Sequence, residues 1–166
     1  MNRFFICLSG VLLCGLSAQA QFIGKGMSQA ATPEKAQTVA FVSPEQITLQ
    51  AGRPAAVALH FRVGAGLHIN SHAPHDTFLI PTILTLTASK GVRVTDLRYP
   101  EGNDVALPID PKNKLNVYTG EFILDAKFVA EAGEHRVEGK LRYQACDQRE
   151  CMPPRTIPVE IGVLGK

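Results

Sequence analysis

The chain has no tryptophan, few aromatic residues of any kind (7%) and only four cysteines among 166 residues. That is too few for a disulfide-dense miniature scaffold, and the length suits one domain that folds on its own hydrophobic core. Charge of one sign is also lacking: 17 Lys and Arg stand against 15 Asp and Glu. No basic footprint for nucleic acid or for an anionic membrane follows from so even a balance. Internal repeats and low-complexity tracts are absent as well. After the N-terminus no apolar run approaches the roughly 20 residues that span a bilayer, so no membrane insertion is expected once a leader is removed.

The one long apolar run is at the start. Arg3 gives a positive flank, residues 4–16 form an apolar stretch, and Ala18-Gln19-Ala20 offers a small-x-small cleavage site. A signal peptide over residues 1–20 is the expectation. Cys14 follows Leu13 rather than a small residue, which argues against lipid attachment there. Cys7 and Cys14 then leave with the leader, and Cys146 and Cys151 are the only cysteines of the exported chain. Residues 21–37, rich in Gly, Ser, Ala, Gln and Lys without apolar period, read as a flexible linker. The folded domain is expected over residues 38–166.

Within it, apolar residues recur at every second position in short runs: 47–50, 55–63, 83–88, 92–99, 117–124, 135–145 and 156–163. Val57, Leu59 and Phe61 show the alternation well, and such alternation marks strands with one buried face. Turn residues separate the runs, as in Ala51-Gly52-Arg53-Pro54, Lys90-Gly91 and Ala132-Gly133-Glu134. Roughly seven or eight strands and no amphipathic helix predict an all-β fold, a single antiparallel immunoglobulin-like sandwich. Lacking Trp and a widely spaced cysteine pair, it shares only the architecture of antibody domains. Two stretches interrupt the alternation. Residues 66–76 carry His68, His72 and His75, and residues 103–116, with Pro108 and Pro111, are expected to form a long loop.

Cys146 and Cys151 fall between the last two expected strands, so they should face each other across a hairpin and form a disulfide in an oxidising compartment. One reading is a staple, although closing so short a loop stabilises by only about 2 kcal/mol. The other is a redox couple, open to a partner thiolate and flanked by Asp147, Arg149 and Glu150. Spacing alone leaves both open. A different class of function, a copper or zinc site, would draw on His68, His72 and His75 with His60 and Met152, since imidazole suits such ions. Positions 68, 70 and 72 share a face of an extended strand, so two imidazoles could converge. Against it stands the plainer role of side-chain-to-backbone bonds at a strand end. A third class is a pure interaction module whose disulfide is inert.

The segment Tyr143-Gln144-Ala145-Cys146, followed by Cys151-Met152-Pro153-Pro154, resembles the active-site hairpin of the N-terminal periplasmic domain of the thiol:disulfide interchange protein DsbD. The stretches 68–74, Ile80-Pro81-Thr82, Tyr99-Pro100 and Val117-Tyr118-Thr119-Gly120 are similar to the same domain, so the likeness spans residues 38–163. The resemblance implies an immunoglobulin-like domain in the periplasm whose Cys146/Cys151 pair passes electrons by thiol-disulfide exchange. Tyr143, Gln144, Pro153 and Pro154 match the residues that flank the pair. The donor would be a thioredoxin-like or membrane-embedded thiol reductase on a separate chain, the acceptors periplasmic disulfide proteins; no metal or organic cofactor is required. Of the two cysteines, the resemblance favours the more C-terminal one for the intermolecular bond. The best-known family member shields its cysteines with a loop bearing an acidic pair followed by an aromatic residue. The region here, 105–113, has no aromatic; Asp110 is its candidate carboxylate, and Leu107 or Ile109 its candidate lid.

Overall fold

The computed structural model describes residues 38–107 and 110–166, and the expected signal peptide and linker lie outside the described residues. All regular structure among the described residues is strand. One sheet has the order β1 (Val39–Phe41), β3 (Ala55–Val63), β9 (Glu121–Ala130), β6 (Val92–Arg98). A second has the order β2 (Gln46–Leu49), β12 (Arg155–Gly165), β10 (Gly133–Tyr143), β5 (Ile83–Ala88). In sandwich nomenclature these are the A-B-E-D and A′-G-F-C sheets of the immunoglobulin fold. Pairing is antiparallel except for β2 on β12, which is parallel.

Period-two burial makes the sandwich. In β9, Phe122, Leu124, Ala126, Phe128 and Ala130 point inward and alternate with exposed or half-exposed residues; in β12, Ile157, Val159, Ile161 and Val163 do the same. Leu59, Phe61 and Val63 of β3 and Val137, Leu141 and Tyr143 of β10 close the core between the sheets. Phe61 stacks on Phe122 with ring centroids 5.3 Å apart. Gly139 continues the inward face of β10 without a side chain because a Cβ there would lie 2.6 Å from a methyl of Leu86.

A third sheet has the order β11 (Ala145–Cys146), β4 (His68–Asn70), β8 (Asp110–Tyr118), β7 (Asn103–Leu107). Its strands come from the connections β3 to β5, β6 to β9 and β10 to β12, the B–C, D–E and F–G loops, which leave the sandwich at one end. Two sequence expectations are corrected here. The run 117–124 is not one strand: Val117 and Tyr118 end β8, and the chain switches sheets at Thr119-Gly120, where Gly120 adopts φ +59°. The stretch 103–116 is not a loop but most of a hairpin. Its prolines misled because β8 carries a bulge between the pairs Ala106–Lys114 and Leu107–Asp110, and Pro111 sits inside it, where no ladder hydrogen bond is needed.

Candidate functional site

The hairpin between β10 and β12 carries the cysteines. Cys146 ends β11, and Cys151 pairs with it in an isolated antiparallel bridge. Asp147 N–H donates to the Glu150 carbonyl (3.0 Å) and Met152 N–H to the Ala145 carbonyl (2.8 Å). Hydrogen bonds on both sides of the pair, but none within it, define a non-hydrogen-bonded pair, the register in which facing residues come closest. The Cα atoms are 3.9 Å apart, and the sulfurs are joined as a disulfide. The expected pairing is therefore present.

The residues around the bridge hold it in place. At the tip, Asp147 Oδ1 accepts from the Arg149 N–H (2.7 Å) and the Glu150 N–H (2.9 Å), and these bonds, Glu150 first, hold its carboxyl below the ordinary 3.8. Gln144 Nε2 donates to the Met152 carbonyl at 3.2 Å, tying the two arms together. Tyr143 is buried in the core, and its hydroxyl shares a 2.7 Å hydrogen bond with Thr38, so the base of the hairpin is pinned to the start of β1. Pro153 and Pro154 are exposed and bring no N–H to the edge the hairpin presents. The two cysteines differ in access: Cys146 is 2% exposed, whereas Cys151 is an exposed residue.

The third sheet decides what lies beside the buried sulfur. Cys146 pairs with His68, and Ala145 with Ile69; Asn70 pairs with Val117, and Ile69 with Tyr118. Cross-strand partners share a face and successive residues alternate. Ala145, Ile69 and Tyr118 join the core, so Cys151, Cys146 and His68 form a row on the opposite face, with Asn70 and Val117 beside it. Residues 71–82 fold over part of that face: Thr82 Oγ1 donates to the Asn70 carbonyl (2.6 Å), and Asn70 Nδ2 to the Ile80 carbonyl (3.0 Å). His68 is thereby 8% exposed. Its Nε2 and Asn70 Oδ1 are buried without a hydrogen-bond partner. Burial pushes the His68 pKa below 6.5, and the nearby Asp147 carboxylate partly offsets this.

The histidines do not gather as the metal alternative requires. β4 ends at Asn70, so His72 leaves the strand face it was expected to share with His68. His72 stacks on Tyr99 at 3.6 Å with Nδ1 on the Thr82 carbonyl (3.1 Å), and His75 Nε2 meets Asp104 at 2.8 Å. His60 pairs with Glu121, on the outer side of β3. Among the described residues no group of three or more His, Cys, Asp or Glu is placed to hold a metal ion. Asp110 opens β8 at the hairpin tip, where its carboxylate accepts from Asn113 Nδ2 (2.8 Å) and is held below the ordinary range chiefly by that bond. Because of the bulge, it stands only about 13 Å along the hairpin from the residues that pair with β4, the span of Asn103 to Leu107 on β7. Ile109 and the Leu107 side chain lie outside the described residues. Sequence reasoning took His68 as a metal ligand or as a strand-end residue bonded to backbone, and missed its pairing with Cys146. The alternation of His68 and Asn70 was visible, but the pairing of β4 with β11 joins segments far apart in the chain.

These features define an immunoglobulin-like domain with a half-exposed disulfide on the hairpin between its last two long strands. The chain belongs to the family described as thiol:disulfide interchange protein DsbD, N-terminal, whose model matches residues 38–161. Solved structures resemble it at low identity. The DsbD N-terminal domain of Neisseria meningitidis in its reduced form is 17% identical with a TM-score of 0.45, over 69% of this chain and 82% of that one. The N-terminal periplasmic domain of ScsB from Proteus mirabilis is 11% identical with a TM-score of 0.48, over 74% of this chain and 43% of that one. A PapD-like domain of human CEP192 is 9% identical with a TM-score of 0.38, over 78% and 85%. No curated protein matches the chain.

Proposed function

We propose that the domain is a periplasmic thiol-disulfide interchange module that passes electrons through Cys146 and Cys151. The observation that carries this reading, beside family membership, is the asymmetry of the pair: one cysteine is exposed and the other is buried on an edge hairpin. A donor thiolate reaches Cys151 Sγ, the S–S bond breaks, and its electron pair stays on Cys146. The donor's second cysteine resolves the mixed disulfide, and the reduced pair then attacks an oxidised client through Cys151 in the same manner. Donors are thioredoxin-like or membrane-embedded thiol reductases, and clients are periplasmic disulfide proteins. A signal peptide over residues 1–20 directs export, and residues 21–37 are a linker ahead of the domain. No helix among the described residues is long and apolar enough to cross a membrane.

Two measurements test this. Equilibration with glutathione gives the reduction potential: inert structural bridges of exported proteins lie below about −300 mV, and a relay must lie above that. A value well below it refutes the proposal. Trapping with a thioredoxin-like donor that keeps only its attacking cysteine, activated as a mixed disulfide with thionitrobenzoate, tests which sulfur makes the intermolecular bond: the free cysteine attacks and thionitrobenzoate leaves. Cys146→Ser, which leaves the exposed Cys151, should accumulate the mixed disulfide, and Cys151→Ser should give at least about tenfold less; equal yields would overturn the assignment.

A further inference from the structure

Two buried polar atoms on β4, the strand that pairs with Cys146, have no hydrogen-bond partner among the described residues: His68 Nε2 and Asn70 Oδ1. Buried polar atoms are nearly always hydrogen-bonded, and the exceptions cluster where chemistry uses them. Both orphans are on β4, two residues apart, and so on the face that carries Cys146. His68 is the direct cross-strand neighbour of Cys146, with Cβ atoms expected about 4.5–5.5 Å apart, a separation the imidazole and the sulfur readily bridge. In the disulfide form, Cys146 has no proton to give. Reduction creates an S–H on the residue paired with His68, whose buried Nε2 lacks a partner among the described residues.

We propose that His68 is the base that removes the Cys146 thiol proton when the reduced pair closes back to the disulfide. This deepens the exchange reading and rests on it. In the half-reaction that delivers electrons, the Cys151 thiolate first attacks a client disulfide, expelling one client sulfur as a thiolate that takes up a proton from solvent. Cys151 is then bonded to the other client sulfur. His68 Nε2 accepts the proton of the Cys146 thiol, and the Cys146 sulfur attacks Cys151 Sγ. The Cys146–Cys151 bond forms and the bond from Cys151 to the client breaks. Its electron pair leaves on the client sulfur, which receives the proton from the imidazolium. The client gains two electrons and the cysteine pair loses two.

The surroundings suit a base of this kind. Burial keeps the ring neutral at the pH of exchange, and the Asp147 carboxylate favours the imidazolium that forms in passing. Other titratable groups nearby are otherwise engaged. His72, on the covering segment, is turned to Tyr99 and the Thr82 carbonyl, His75 to Asp104, and Asp76 accepts from the Phe78 N–H. Tyr118, on β8, lies on the core face and donates to the Pro100 carbonyl. Arg149 and Glu150, at the hairpin tip, are exposed residues whose backbone amides bond Asp147.

The test follows ring closure alone. Reduced protein is mixed with excess oxidised glutathione, acid-quenched, and its glutathione adduct and closed forms are separated by mass across pH 5 to 9. Wild type should close at a rate nearly independent of pH from neutrality down to below about 6.5. His68→Gln should lose about tenfold per pH unit below the ordinary thiol range near 8.5, and close about a hundredfold more slowly at pH 6.5. Asp147→Asn, which can still accept the tip amides, should move the acid limb of the wild-type profile to lower pH. It keeps the proposal testable if His68→Gln fails to fold, as far-ultraviolet circular dichroism would show. Profiles shared by wild type and the folded variants overturn the proposal. Failure of the relay reading shows separately, as a wild-type disulfide that no thioredoxin-like donor reduces, whatever the closure profile.

Discussion

At the scale of single residues, the cysteine hairpin is built from ordinary turn chemistry. Asp147 caps the tip through its carboxylate, Gln144 bonds across the arms, and Tyr143 anchors the base to Thr38. None of these need touch a client, which separates their effects from those of the cysteines. Tyr143→Phe should leave the buried Thr38 hydroxyl without its partner and cost about 1–2 kcal/mol. A lower urea midpoint with unchanged slope would show this. Exchange at Cys151 should keep its wild-type rate, because the Tyr143 hydroxyl lies in the core and not beside the sulfurs. Tyr143, Gln144 and the cysteines were all legible in the sequence as a contiguous motif. The partners they find, Thr38 and His68, were not, because both lie far away along the chain and meet it only through sheet pairing.

At the scale of elements, the strands of four or more residues in the sandwich were readable and those of two or three were not. β3, β5, β6, β10 and β12 follow the expected runs closely, since six or more residues show a period of two. β1, β4 and β11 have two or three residues, too few to show any period. They are held by their neighbours: β4 exists because β8 and β11 pair with its two edges. The break between β8 and β9 was hidden because apolar residues continue across it into a different sheet. Gly120 marks it, and no heavy atom lies within 4 Å of the position its Cβ would take. Gly120→Ala should therefore cost only the left-handed backbone conformation, roughly 1–2 kcal/mol, read as a lowered melting temperature. A loss near zero would mean that the turn can relax to negative φ.

At the scale of the whole molecule, the shifted titrations set the pH range of stability. The folded state lowers the pKa of His68, so below 6.5 the unfolded chain binds a proton that the fold refuses, and stability falls as pH drops through that window. Asp104, Asp110 and Asp147 are also lowered in the fold; their contribution is complete above 3.8 and is lost as pH falls further. Tyr99 and Tyr118 are raised, chiefly by burial, so stability declines once pH rises above 10.0 and the unfolded chain releases protons that the fold retains. Urea denaturation across pH should give a plateau between about 7 and 9, with the first acid loss near 6.5 absent in His68→Gln.

Taken alone, the sequence determined the all-β class, the strands of the sandwich and the cysteine hairpin, because alternation and turn chemistry act between residues near each other in the chain. The third sheet, the covering of its outer face by residues 71–82, and the row Cys151, Cys146, His68 were decided only by tertiary structure. Three loops from one end of the sandwich had to meet before one cysteine was buried in a pair with His68 and the other left exposed.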